Sequence, residues 1–133
     1  AWAVYGYTAC YRETQDTDFL KHAIHIANMI MERVKTDDNI PYWDYNAPAL
    51  KDTPRDASAA AVTASAFLEL STFAPDGQKY YKYAENLLKN LSGKEYLAEK
   101  STNQGFILMH SVGSLPHSLH TTIITKFFVS SPR

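Results

Sequence analysis

At 133 residues, with 45% hydrophobic and 13% aromatic side chains, the chain is one ordinary domain by length and holds enough apolar area for a core, which excludes intrinsic disorder. Basic and acidic side chains number 13 and 14, a net charge of −1 with neither sign gathered into a block. That balance argues against a nucleic-acid or membrane-surface protein, whose affinity rests on a concentrated basic face.

The single cysteine, Cys10, has no partner for a disulfide and cannot head a thiolate metal site. Its flanks, Thr8-Ala9 and Tyr11, read as a packed helix and make it an inert core thiol. No apolar run is long enough to span a bilayer, and no signal-peptide pattern opens the chain. The stretch AWAVYGYTACYRET starts inside an apolar, helix-compatible segment with no capping residue before it, which reads as a fragment.

Residues 2 to 13 predict a helix lined by Trp2, Tyr5, Ala9 and Tyr11, followed by a turn at TQD. The next segment, DTDFLKHAIHIANMIMERV, places Phe19, Ala23, Ile26, Ala27, Ile30 and Val34 on one stripe at helical spacing, with Asp16 or Thr17 as cap. Together these form an αα-hairpin. The histidines His22 and His25, with no acidic or thiol partner nearby in sequence, read as solvated or boundary residues.

After a long connection, DASAAAVTASAFLELSTFA predicts a third helix whose small residues let a neighbour approach closely. The turn APDG leads into QKYYKYAENLLKNL, with Tyr80, Ala84, Leu87, Leu88 and Leu91 on one stripe. The two hairpins repeat at an offset of 61 residues, which maps Ala3 to Ala64, Phe19 to Tyr80, Ala23 to Ala84, Ile26 to Leu87 and Ile30 to Leu91. Repeated helix pairs imply stacked hairpins, either a solenoid or a closed α/α toroid, so the expected fold class is all-α. The surplus length falls in loops 35–56 and 93–118, and long loops in a compact domain are usually functional. Residues 119–133 are rich in β-branched side chains, carry no helical stripe and form an atypical tail to the 1–118 unit.

Trp43-Asp44-Tyr45 supplies what sugar recognition needs, an aromatic plane for the apolar face of a ring and a carboxylate for its hydroxyls. The plainer reading has Trp43 plugging the core and Asp44 capping a turn. Arg55 and Asp56 stand before the alanine-rich helix. Asp56 reads first as its N-cap, with Asp52 or Thr53 as competitors, while Arg55 either clamps a substrate carboxylate or pairs with Asp44. Asp44 and Asp56 as a paired acid and base for glycoside hydrolysis would need a separation that almost any two loop aspartates can supply, and the pairing is the weakest reading. QGFILMHSVGSLPHS gathers His110, Ser111, Ser114, His117 and Ser118 around Gly113 and Pro116, a turn able to bind an anionic oxygen or simply to face solvent. It lacks the spacing of a metal site, and no metal or cofactor is expected.

The segments AWAVYGYTACYRETQDTDFLKHAIHIANMI, PYWDYNAPALKDTPRDASAAAVTASAFLEL and GFILMHSVGSLPHS resemble the C-terminal half of the unsaturated glucuronyl hydrolases, glycoside hydrolase family 88, over about residues 1–118. The resemblance implies a six-hairpin α/α toroid. It also implies removal of a 4,5-unsaturated uronic acid from lyase-generated oligosaccharides by hydration of a vinyl ether. Trp43-Asp44 and Arg55-Asp56 match the family's loop and helix-start motif. Ser111 and Ser114 match a serine pair that touches the sugar acceptor or its sulfate, and Ala1-Trp2 match the end of its Arg-Gly-Gln-Ala-Trp segment. Substrate contacts are thus expected at Trp2, Trp43, Asp44, Arg55, His110, Ser111 and Ser114. The family's catalytic aspartates lie upstream of that segment, so this chain alone is expected to be inactive.

The implied partner is an unsaturated uronate oligosaccharide, with no nucleic acid and no membrane. Uncovered hairpin faces around Phe19, Ile26 or Leu87 would favour self-association. The competing expectation is an α-hairpin interaction module with Trp43 buried and no catalysis.

Overall fold

The computed structural model describes residues 1–46 and 53–96. Four helices follow in chain order, α1 Trp2–Thr14, α2 Thr17–Arg33, α3 Ala57–Phe73 and α4 Gly77–Leu91, and the described residues hold no strand beyond one isolated bridge. The all-α expectation and both αα-hairpins are therefore observed.

Each tight turn has a local cause. Gln15 adopts the left-handed conformation at φ 57° and returns its N–H to the Tyr11 carbonyl at 2.8 Å, which ends α1. Asp16 then caps α2 by accepting the Asp18 N–H at 2.9 Å. At α3 the cap is Asp56, which accepts from the Ala59 N–H at 2.9 Å and from the Ser58 hydroxyl at 2.6 Å. Of the candidates read from sequence, Asp56 holds the place and Thr53 does not, while Asp52 lies outside the described residues.

α3 is the central element. It packs most extensively on α4, also on α1 and, less, on α2. Because it has neighbours on most sides, Ala57, Ala60, Ala64, Ala66, Phe67 and Leu70 are all fully buried, and no clean amphipathic stripe is left. On α2 the buried positions are Ala23, Ala27 and Ile30, and on α4 they are Tyr80, Ala84, Leu87 and Leu91. The 61-residue offset thus pairs two buried positions at Ala23 with Ala84 and at Ile30 with Leu91.

The offset fails between α1 and α3, since Ala3 is exposed whereas Ala64 is fully buried. The expected lining of α1 is likewise corrected. Val4 and Thr8 face the core, while Trp2 and Tyr5 stand exposed and pack edge to face against each other at 6.0 Å. Thr8 tolerates full burial because its hydroxyl donates to the Val4 carbonyl at 2.7 Å, one turn earlier. Cys10 lies on the exposed side of α1 and is not a core thiol. Leu87 belongs to the α3–α4 interface at 1% exposure, so it offers no uncovered face; the large exposed apolar side chains of α4 are Tyr81 and Leu88. Phe19 and Ile26 are half-buried. His22, expected to be solvated or at a boundary, is exposed and stacks on Tyr7 of α1 at 5.3 Å.

Candidate functional site

The connection between the hairpins begins with a turn built on Asn39, whose φ of 59° suits asparagine and whose N–H reaches the Thr36 carbonyl at 3.1 Å. Ile40 follows and plugs the core with no exposure. With that residue anchored, the chain runs outward and pairs with the segment before α3 in an antiparallel bridge between Tyr42 and Arg55. Two backbone hydrogen bonds close the bridge, from Trp43 N–H to the Pro54 carbonyl at 3.0 Å and from Asp56 N–H to the Pro41 carbonyl at 2.8 Å. Trp43 therefore leaves a pinned backbone, and its side chain is 58% exposed.

The reading in which Trp43 seals the core does not hold. Asp44 accepts the Asn46 N–H at 2.8 Å, an Asx turn that shapes the loop just past the tryptophan. Its neighbour Tyr45 turns inward, where burial, and secondarily the negative charge of Asp56, pushes its phenol upward from the ordinary value. The same segment walls a cleft of about 140 Å³ lined by Arg33, Lys35, Thr36, Tyr42 and Tyr45 among others.

Arg55 faces neither solvent nor Asp44. Its Nη1 donates to Asp38 Oδ1 at 3.2 Å and to the Ile40 carbonyl at 2.7 Å, and its guanidinium lies 4.5 Å above the ring centre of Tyr42. Asp38, which sequence reasoning missed, also accepts from the Tyr96 hydroxyl at 2.7 Å, and its backbone carbonyl accepts from the Asn90 amide at 2.7 Å. No sequence signal could have found these partners, because they lie 17, 52 and 58 residues from Asp38 and follow no motif.

Trp2, 52% exposed, starts α1 at the same end of the helix bundle. Near the other ends of α1 and α3, Tyr11 packs on Phe73 at 5.2 Å and Arg12 donates to Glu69 at 2.7 Å, so the two helices run side by side in the same direction and begin at the same end. Trp2, Trp43, Asp44 and Arg55 thus belong to one end of the helices. His110, Ser111 and Ser114 lie outside the described residues. Among the described residues no cluster of His, Cys, Asp or Glu could hold a metal ion, and no helix is long and apolar enough to cross a membrane.

A family model described as glycosyl hydrolase family 47 matches residues 3–118. The unsaturated glucuronyl hydrolase of Formosa agariphila is 42% identical over 117 residues, covering 87% of this chain and 29% of that protein. The chain belongs to the glycosyl hydrolases. An unsaturated glucuronyl hydrolase from Bacillus sp. strain GL1 is 29% identical over 111 residues, covering 80% of this chain and 29% of that protein. The crystal structure of an unsaturated glucuronyl hydrolase specific for heparin superposes with a TM-score of 0.79 at 49% identity, covering 90% of this chain and 33% of that one.

The helices described above are therefore part of an α/α toroid, one of the two architectures left open by the repeat and the one implied by the resemblance. The family number expected from sequence, 88, is not the number of the matching model, 47, whereas the expected family name is the one the relatives carry. The chain spans 29% of the length of each of these two curated relatives.

Proposed function

We propose that this chain contributes part of the sugar-binding rim of an enzyme that removes a 4,5-unsaturated uronic acid from lyase-generated oligosaccharides. The observation that carries the reading is the exposed indole of Trp43 on a backbone pinned by the Tyr42–Arg55 bridge. A rigid aromatic plane beside a carboxylate suits a pyranose ring, whose C–H face packs on the indole while Asp44 remains near for hydroxyls. Trp2 offers a second exposed plane, and His110, Ser111 and Ser114 are read as further contacts to the sugar. One relative with 49% identity is specific for heparin, and a UGL variant structure with 28% identity was determined with dGlcA-Glc-Rha-Glc, which supports an acidic oligosaccharide as the ligand class.

In vinyl-ether hydration an acid protonates C4, water adds at C5 and returns a proton to the acid's conjugate base, and the resulting hemiketal collapses with cleavage of the bond to the released sugar. Three of the described loop carboxylates have other work. Asp38 is held by Arg55 and Tyr96, Asp44 closes an Asx turn, and Asp56 caps α3. We therefore read this chain alone as binding sugar without turning it over. Residues 1–118 are taken as the toroid-derived unit and 119–133 as a separate tail, a division supported by the family match ending at residue 118.

Titration with an unsaturated uronate disaccharide while following tryptophan emission tests the reading. The expected result is a saturable change in the wild type that is lost in Trp43→Ala, with the ultraviolet absorbance of the unsaturated ring constant throughout. An unresponsive wild type, or an equal response in the variant, overturns the binding role, and a decay of the absorbance overturns the inactivity.

A further inference from the structure

Three regions distant in sequence converge on Asp38. Its Oδ1 accepts from Arg55 and from the Ile40 N–H at 3.0 Å, its Oδ2 from the Tyr96 hydroxyl, and its backbone carbonyl from Asn90 near the end of α4. The Ile40 carbonyl gathers two more donors, Arg55 Nη1 at 2.7 Å and the Thr36 hydroxyl at 2.9 Å. Both side chains of the ion pair are about three-quarters covered, at 25% exposure for Arg55 and 26% for Asp38, which shields them from full solvent screening.

This arrangement ties two things together. Arg55 is half of the bridge from which Trp43 projects, while Asn90 and Tyr96 belong to α4 and the turn after it. Asp38 is therefore the point at which the Trp43 backbone is referenced to the α3–α4 hairpin. A loop held only by its own two-residue bridge could rock about that bridge, and an anchor on its far side removes this freedom before a ligand arrives.

Resting on the sugar-binding reading above, we propose that Asp38 is a positioning residue that fixes the Trp43 platform by clasping Arg55, Tyr96 and Asn90, and that Arg55 serves the sugar through this frame. Both Arg55 contacts through Nη1 are internal, so the guanidinium orients the loop that bears the indole.

The test uses the full chain labelled with 5-fluorotryptophan, whose two fluorine resonances are assigned with Trp43→Phe. Asp38→Asn and Tyr96→Phe are expected to shift or broaden the Trp43 resonance, leave that of Trp2 in place, and weaken binding of an unsaturated uronate disaccharide about tenfold, as loss of preorganisation predicts. Circular dichroism at the same temperature shows that the variants are folded. A Trp43 resonance unmoved by both substitutions overturns the proposal whatever the sugar does. A Trp2 resonance that changes in step with Trp43 shows general loosening and also overturns it. If Trp43 moves alone while the wild type binds no disaccharide, the positioning of Trp43 by Asp38 stands and the carbohydrate reading falls.

Discussion

The hydroxyl of Tyr80 donates to Asn28 Oδ1 across 2.9 Å, a direct side-chain link between the second helices of the two hairpins. The rest of the Tyr80 ring is buried at 1% exposure and meets Phe67 edge to face at 5.5 Å. Tyr80→Phe keeps the ring and removes only the link, so the expected loss is about 1 kcal/mol in urea unfolding. Tyr80→Ala removes the packing as well and is expected to cost about 3–5 kcal/mol. Equal losses in the two variants would show that the ring contributes nothing beyond its hydroxyl.

Two glycines give opposite expectations for the same substitution. Gly77, the first residue of α4, has an ordinary negative φ, yet an added Cβ would strike the backbone carbonyl of Ser71 in the last turns of α3. Close approach, and not backbone conformation, requires glycine there. Gly77→Ala is expected to destabilise by about 1–3 kcal/mol despite alanine's better helix propensity. Gly6 in α1 has nothing within 4 Å of the same Cβ, and Gly6→Ala is expected to stabilise by up to about 1 kcal/mol. Thermal melts of the two variants should move in opposite directions.

Alkaline pH should weaken the fold through the buried tyrosines. Tyr83 is pushed up to about 12 by burial and, secondarily, by the nearby phenol of Tyr45, and its buried hydroxyl has no hydrogen-bond partner among the described residues. A raised pKa means that the folded chain keeps a proton the unfolded chain has already released. The stability this gives is complete below the ordinary tyrosine value and is lost as pH rises toward 12. Tyr83→Phe has no such proton to lose. Its urea midpoint is expected to match or exceed the wild type near neutral pH, by up to about 1 kcal/mol, and to fall less between neutral pH and about pH 11. Parallel declines in the two proteins would exclude Tyr83 as a source of the alkaline loss.

Cys10 should react in the native state, because it stands exposed on α1. A small maleimide is expected to label it to completion without denaturant and to change the unfolding free energy by less than about 0.5 kcal/mol. Labelling that occurs only in denaturant would return Cys10 to the core.

The parts of this fold that were legible in the sequence are those with one buried side. α2 and α4 each pack one stripe, so Ala23, Ile30, Ala84 and Leu91 could be placed by period alone, and Asp16 and Asp56 could be recognised as caps from their position before apolar runs. α1 misled because its aromatics are spread around the helix. Size suggested Trp2 and Tyr5 for the interior, whereas close packing against α2 and α3 selected Val4 and a threonine that satisfies its own hydroxyl. The Trp43 loop was recognisable as a candidate site from its residue types. The Asp38 clasp was invisible because it is made wholly of long-range contacts.

The one bridge among the described residues, between Tyr42 and Arg55, acts as a staple where residues 43–54 leave and rejoin the fold. Chain added beyond a closed neck costs only about 0.6 kcal/mol for each doubling of loop length, so insertions there leave the helices undisturbed. Such a connection can change in length while the scaffold beneath it stays constant.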